Sequence, residues 1–372
     1  MPIKSIQTHT VTITGYNSGG EGVSRLDDGR VVFIRGAARG DILEIVLTKE
    51  LSRSTCADII RIISPSPYRI EPDCKVFPQC GGCDYRHIDY NEELYAKQQC
   101  VNDALKRIGG LSVQINEVLH TRQINGYRNK VVLHSDGAAS GFYRSKSHDV
   151  VPVENCLLLK DEINKEIKCL TKTGIKQKCD ITIRSGRNGT IPPFEEELDG
   201  LIFKLEGFFQ VNTKAALILF QKAREYAALS KSDTLIDLYC GVGAMTLFTG
   251  RDAGHALGIE QNPDAVKIAK ENAKRNNLTH LEFLNADASS QINSITTPDC
   301  VIVDPPRNGL SKDATNRLLE LFPKRLVYVS CNPATLARDI KNLNGYKIKE
   351  ICAVDMFPRT ANIECCCLLV KE

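Results

Sequence analysis

From Thr213 to the end of the chain, short apolar runs alternate with amphipathic stretches, and this alternation constrains the fold more than any other feature. The runs "TLIDLYC", "ALGIE", "LEFLNAD", "CVIVDPP", "RLVYVSC" and "IECCCLLV" are strand-like, whereas "KAALILFQKAREYAAL", "PDAVKIAKENAKRN" and "PATLARDIKNL" carry apolar residues at helical spacing. Strands that are apolar throughout and separated by amphipathic helices predict a parallel sheet covered on both faces. A ligand of such a sheet lies beyond the carboxyl ends of its strands, so the residues that end each strand carry the functional information.

The first strand leads into "LIDLYCGVGAMTL", in which Gly241 and Gly243 let the backbone turn tightly and approach a ligand. The three-glycine dinucleotide fingerprint is not met, which disfavours NAD or FAD. "GIEQNP" places Glu260 at the end of the second strand, positioned for ribose hydroxyls, and "NADAS" places Asp287 at the end of the third, positioned for an adenine edge. Either acid alone is as readily a helix cap or a surface charge. At the ends of successive strands they together predict an adenosine without a pyrophosphate, as in S-adenosylmethionine (SAM). "CVIVDPPRNGL" ends the fourth strand with Asp304, ahead of two prolines that hold an extended turn. Turns of this type also occur in enzymes that methylate exocyclic amines, so the motif leaves the target atom open. "RLVYVSCNPATLARDI" sets Cys331 just past a strand and just before a helix, where N–H groups and the helix dipole favour a thiolate, which makes it a candidate nucleophile.

Upstream, residues 6 to 63 alternate β-rich runs with glycine turns and predict a small closed barrel of five strands. The proline-rich "SPSPYRIEP" reads as a linker, and "CKVFPQCGGCDYRH" follows it with three cysteines and a histidine. Next come one helix, "NEELYAKQQCVNDALKRIGG", and β-type segments to about residue 206. The fifteen cysteines are odd in number, the N-terminus lacks a basic-then-apolar export pattern, and no 18 apolar residues run together. A cytoplasmic chain with unpaired thiols and no membrane contact is expected. Its formal net charge of +3 says little, but the distribution is uneven. Arg122, Arg128, Lys130, Arg144 and Lys146 oppose only Asp136 and Asp149, and seven Lys and Arg between residues 165 and 190 oppose only Glu166 and Asp180. Tyr127, Phe142 and Tyr143 interleave with this charge, a pattern shared by RNA-binding faces and by ordinary solvated ones.

"FFQVN" (208–212), "DLYCGVG", "DPPRNG", "SCNPATLARD" and "DMFPRTANIE" resemble, in order, the motif series of the RNA 5-methyluridine (uracil-C5) methyltransferases. The resemblance runs over essentially the whole chain. It implies a multidomain fold: an OB-like TRAM β-barrel over residues 1–64, a central α+β iron-sulfur and RNA-binding domain over 65–206, and a C-terminal α/β Rossmann-like SAM-dependent methyltransferase domain over 207–372. It also implies that Gln210, Tyr239, Glu260, Asp287 and Asp304 contact SAM, that Cys331 is the nucleophile and Glu364 the base, and that Cys74, Cys80, Cys83 and Cys156 hold a 4Fe-4S cluster. Zinc is the rival occupant, because C-x2-C is also a zinc spacing. The implied reaction is methylation of uridine C5 in structured RNA, 23S rRNA ahead of tRNA, with no obligate protein partner. A non-catalytic RNA-binding protein is the alternative of a different class. The sequence departs from the family at Arg359 and Asn362, where histidines usually precede the base, and in a shorter stretch between Cys156 and Gln210.

Overall fold

The computed structural model describes residues 7–50, 54–289 and 298–372, so the first six residues of the N-terminal segment lie outside it. Strands β1 (Thr8–Thr12), β2 (Gly15–Tyr16), β3 (Gly22–Arg25), β4 (Val31–Ile34), β5 (Ile42–Glu50) and β6 (Ser54–Ser64) form one sheet in the order β1-β5-β6-β4-β3-β2. Alternate side chains, among them Val11, Ile13, Val32, Ile34, Leu43 and Ile45, meet in its core. Where a closed barrel of five strands is expected, this half-barrel has six, because the first strand is bent. β1 pairs with β5, and β2, two residues on, pairs with β3. The chain at Ile13 and Thr14 joins the two edges, with the Thr14 N–H donating to the Val23 carbonyl at 2.8 Å. Two residues are too few for β2 to show a period-2 pattern in the sequence.

The proline-rich stretch after β6 is anchored. Buried Asp41 accepts from the Ser66 N–H at 2.8 Å and binds the Arg69 guanidinium through both oxygens, at 2.8 and 2.6 Å, which fixes the chain's exit from the half-barrel. Helix α1 (Tyr90–Ala104) begins where the Asp89 carboxylate accepts from the Glu92 N–H. It runs on through a π-helical turn, Leu105–Gly109, and stops at Gly110, whose φ of 68° suits glycine. Strand β7 (Val118–Leu119) follows. Strands β8 (Lys130–Asp136), β9 (Ser140–Tyr143), β10 (Val150–Pro152) and β11 (Lys178–Arg184) make an antiparallel sheet in the order β10-β9-β8-β11. Helix α2 (Asp161–Thr173) covers it, with Ile163 and Ile167 packed on Leu133, Leu159 and Ile183. A hairpin of β12 (Glu195–Leu198) and β13 (Leu201–Lys204) leads to the last unit.

There, α3 (Thr213–Ala227), β14 (Thr234–Leu238), α4 (Ala244–Gly250), β15 (His255–Glu260), α5 (Pro263–Arg275), β16 (Leu281–Asn285), β17 (Cys300–Val303), α6 (Lys312–Leu321), β18 (Arg325–Ser330), α7 (Pro333–Asn342), β19 (Tyr346–Val354) and β20 (Glu364–Lys371) complete the chain. The sheet order is β16-β15-β14-β17-β18-β20-β19-β7, with β14 to β18 parallel to one another and β20 antiparallel between β18 and β19. The strand order reverses between β14 and β17, which opens a crevice at their carboxyl ends. Residues 90 to 119, central in the sequence, build onto this sheet: β7 pairs with β19, and Val101 and Leu105 share a core with Leu336, Ala337 and Ile340 of α7. Among the described residues no helix is long and apolar enough to cross a membrane.

Candidate active site

The carboxyl end of β14 carries the tightest turn. Tyr239, Gly241 and Gly243 all have positive φ, and a Cβ at Gly243 would sit 3.0 Å from both Ala269 and Phe283, so only glycine lets α4 and α5 close over the strand end. Beneath this turn lies Asp237, 1% exposed, with Oδ2 accepting from the Thr246 hydroxyl at 2.5 Å and Oδ1 without a partner among the described residues. Burial pushes its carboxyl up to about 7. Asp237 is absent from the sequence candidates. The signal that could have found it is an acid inside the otherwise apolar "TLIDL".

Glu260, at the end of β15, accepts from the Gly241 N–H at 3.1 Å and the Asn262 N–H at 2.8 Å. With Gly241, Val242, Asn262 and Phe208 it lines a cleft of about 570 Å³. Asp287 stands exposed two residues beyond β16, its carboxyl held low by the Ser289 hydroxyl and N–H. Its charge faces Tyr239, whose hydroxyl is pushed up by burial and then by Asp287. Gln210 is buried just before α3, its carbonyl accepting from Asn129 at 3.3 Å. Glu260 thus sits in the cleft, Tyr239 and Asp287 stand near each other at the ends of β14 and β16, and Gln210 lies at the entry to α3.

A second group gathers beyond β17, β18 and β20. The β18/β20 register sets Ser330 against Cys365, so one position further out Cys331 stands beside Glu364. Asp304, half-buried at the end of β17, completes the group, its N–H facing the Leu238 carbonyl at 3.4 Å. Burial pushes Asp304 up to about 7. Glu364, 5% exposed, is raised well above the usual carboxyl range by burial and by Asp304, with Arg307 opposing. The Cys331 thiol is raised, not lowered as the helix start alone would have it. Burial and the Glu364 charge raise its thiol, against Arg307, and outweigh the start of α7. All three groups are thus shifted toward their protonated forms, so Cys331 and Glu364 must each lose a proton before they can act as nucleophile and base. Arg307, the cation opposing the Cys331 and Glu364 shifts, donates to Asn362 Oδ1 at 3.5 Å.

The structure also brings Cys74, Cys80, Cys83 and Cys156 around one cavity of about 450 Å³. Among the described residues no three His, Cys, Asp or Glu side chains converge at single-ion spacing; the four thiols surround a space instead. Val76, Phe77, Val131 and Phe142 line it with Arg86 and Arg128. Arg86 donates to Cys83 Sγ at 3.4 Å and Gly82 N–H to Cys80 Sγ at 3.4 Å. Burial raises the Cys80 and Cys156 thiols and pushes Cys83 up to about 12, a shift that a ligated cation would oppose. Arg128, part of the basic run in the sequence, lines this cavity, its Nε buried without a partner among the described residues.

Residues 201–372 match the family described as tRNA (Uracil-5-)-methyltransferase, and residues 4–60 match the TRAM domain. An uncharacterized RNA methyltransferase of Clostridium tetani is 30% identical over 98% of this chain and 96% of its own length. One of Gloeobacter violaceus is 31% identical over 98% and 97%. The solved Pyrococcus abyssi tRNA (uracil-54, C5)-methyltransferase, in complex with S-adenosyl-L-homocysteine, superposes with a TM-score of 0.77 at 25% identity, covering 97% of this chain and 100% of that one. The half-barrel is therefore a TRAM domain and the C-terminal unit a Rossmann-like methyltransferase fold, and the chain belongs to the SAM-dependent RNA (uracil-5)-methyltransferases.

Proposed function

We propose that the chain methylates uridine C5 through a covalent adduct, with Cys331 as nucleophile and Glu364 as base. The observation that carries this is the β18/β20 register, which sets Cys331 and Glu364 side by side with Asp304. Uracil C5 is too weak a nucleophile to take a methyl group unaided. Addition of the Cys331 thiolate to C6 forms an S–C6 bond and an enolate, whose C5 is nucleophilic. SAM supplies the electrophilic methyl group when bound. Glu364 then takes the C5 proton, the C5–C6 double bond reforms and the thiolate leaves. Gln210, Tyr239, Glu260, Asp287 and Asp304 are assigned to SAM, Glu260 on the strength of its place in the cleft. The target uridine must leave its stack to reach Cys331. A groove of about 1030 Å³ gives it a route, running from Phe33 of the half-barrel past Tyr95 to Asn332.

We assign Cys74, Cys80, Cys83 and Cys156 to a 4Fe-4S cluster. A cavity larger than one ion, apolar walls and two arginines suit an anionic cluster held by thiolates. Such a cluster organises the fold locally; the methyl transfer needs no electrons. The substrate assigned is 23S rRNA, on the family resemblance of TRAM domain plus cysteine set. tRNA is a second reading, favoured by the whole-chain likeness to the Pyrococcus enzyme.

The test of the chemistry is a pair of variants. Glu364→Gln should methylate once and stall as an RNA-protein conjugate carrying label from methyl-labelled SAM, whereas Cys331→Ala should give neither conjugate nor product. Full activity in Cys331→Ala overturns the nucleophile assignment. Mapping 5-methyluridine in ribosomal and transfer RNA, from cells with and without the gene, decides the substrate.

A further inference from the structure

The loop that delivers Glu364, residues 355–363, is shaped almost wholly by other parts of the chain. The Met356 carbonyl accepts from Asn212 at 3.0 Å, the Phe357 carbonyl from Lys97 at 3.2 Å and the Pro358 carbonyl from the Tyr127 hydroxyl at 2.9 Å. Arg359 has a φ of 71°, a left-handed conformation that costs a non-glycine residue about 1 kcal/mol or more. Outside contacts hold it there. Its N–H donates to Glu93 at 2.7 Å, its carbonyl accepts from the N–H groups of Asp84 and Tyr85 at 2.9 and 3.2 Å, and its guanidinium donates to the Ile88 carbonyl at 3.1 Å. Arg359 is thus no surrogate for a histidine at the reaction centre; its side chain is buried among carbonyls of residues 85–88.

Close to the base the loop backbone is held by Asp84. Its Oδ2 accepts from the Ala361 N–H at 2.9 Å, three residues ahead of Glu364. Gly20 of the half-barrel closes over the pair: a Cβ there would lie 2.9 Å from Asp84 Cβ and 3.2 Å from Ala361 Cβ. Asp84 also directly follows Cys83, so one short segment serves both the cysteine cavity and the base loop.

We propose that Asp84 is a positioning residue for the base: by holding Ala361 it fixes where β20 begins and keeps Glu364 aimed at the C5 proton of the adduct. The inference rests on the assignment of Glu364 as base. Without the tie, adduct formation and methyl transfer, which use Cys331 just past β18, proceed, while proton removal slows.

Asp84→Ala should lower kcat about ten-fold, the effect of one buried hydrogen bond, and leave KM for RNA and for SAM within about two-fold. It should also accumulate the methyl-labelled conjugate seen with Glu364→Gln. Asp84→Asn keeps an acceptor oxygen and should restore turnover and abolish the conjugate. Hydrogen exchange of peptides covering residues 356–362 should quicken in Asp84→Ala and not in Asp84→Asn. If the alanine protein does not fold, Asp84→Ser, whose shorter hydroxyl cannot span to Ala361, is read in the same way. Normal turnover without conjugate, or a parallel fall in kcat, affinity and thermal stability without conjugate, overturns the proposal. Absence of conjugate in Glu364→Gln itself strikes instead at the base assignment.

Discussion

Lys97 and Asp355 are joined at 2.6 Å although 258 residues separate them, and neither side chain is exposed. The same ammonium lies 2.7 Å from Glu93 and 3.2 Å from the Phe357 carbonyl, so one buried cation ties α1 to the strand and loop ahead of Glu364. Removing one partner from a buried ion pair leaves uncompensated charge, which costs about 3 to 5 kcal/mol. Lys97→Met should therefore lower the denaturant midpoint sharply. The loss should be larger at pH 8 than at pH 5. Burial already raises Glu93, and without the ammonium its folded-state pKa climbs further, so the stability it retains when protonated is lost as pH rises. Equal losses at both pH values would place the damage in packing instead.

Arg307 sets the pH dependence of the reaction. Burial and Glu364 raise the Cys331 thiol and burial raises Glu364, while Arg307 is the cation opposing both shifts. Groups with raised pKa values hold their protons to higher pH, so single-turnover rates should climb through and above neutrality. Arg307→Met should move that limb to still higher pH and slow the reaction most near pH 7. An unmoved limb would show that the rate reports a step other than ionisation of this group.

Asp237 supplies a test at the cofactor side. Its buried carboxyl lies at about 7 with one oxygen unpartnered among the described residues, beneath the turn that leads to Glu260. SAM is a cation at its sulfonium, which favours the ionised carboxylate. Affinity measured by calorimetry should rise between pH 6 and pH 8, and Asp237→Asn should weaken it about ten-fold and flatten the rise. Unchanged affinity in Asp237→Asn would confine this acid to its bond with Thr246.

The parallel strands and long helices of the C-terminal unit were legible because their apolar periodicity is local. What the sequence could not show is set by pairing at a distance. Only the insertion of β20 between β18 and β19 brings Glu364 beside Cys331, and that register has no local signature. The direction of the Cys331 pKa was misjudged for the same reason: the helix start is visible in SCNP, the facing carboxylates are not. Arg128 belongs to a basic run in sequence and to the cysteine cavity in space, because the following Asn129 and Lys130 lead into β8. The sixth strand of the half-barrel is a two-residue piece beyond the bend at Ile13 and Thr14, too short to leave a pattern in the sequence.

The cysteine cavity makes a direct prediction about metal content. Protein isolated without air should carry about four irons and four sulfides per chain and be brown. Cys156→Ala should lose most of the iron, since that thiol comes from a separate segment and closes the ring formed by Cys74, Cys80 and Cys83. Stoichiometric zinc without iron in anaerobic material would replace the cluster with a zinc site.

Two neighbouring basic residues should behave oppositely toward RNA. Lys130 lines a groove with Thr182, Arg184 and the largely exposed Phe208, next to the cleft that holds Glu260, and is the residue expected to meet a phosphate of the substrate backbone. Arg128 instead faces the cysteine cavity beside Arg86, and its Nε is buried without a partner among the described residues. Each phosphate neutralised contributes about 0.7 to 0.9 to the slope of log affinity against log salt. Lys130→Ala should flatten that slope by about this amount and weaken RNA binding at low salt, leaving SAM affinity and iron content alone. Arg128→Ala should leave the slope unchanged and reduce iron retention, because it removes a cation next to the cysteines assigned to the cluster. Filter-binding titrations from low to moderate salt, alongside iron analysis of the same preparations, separate the two. A flattened slope with Arg128→Ala and full iron content would return that residue to the RNA face, and an unchanged slope with Lys130→Ala would make this groove an ordinary solvated surface.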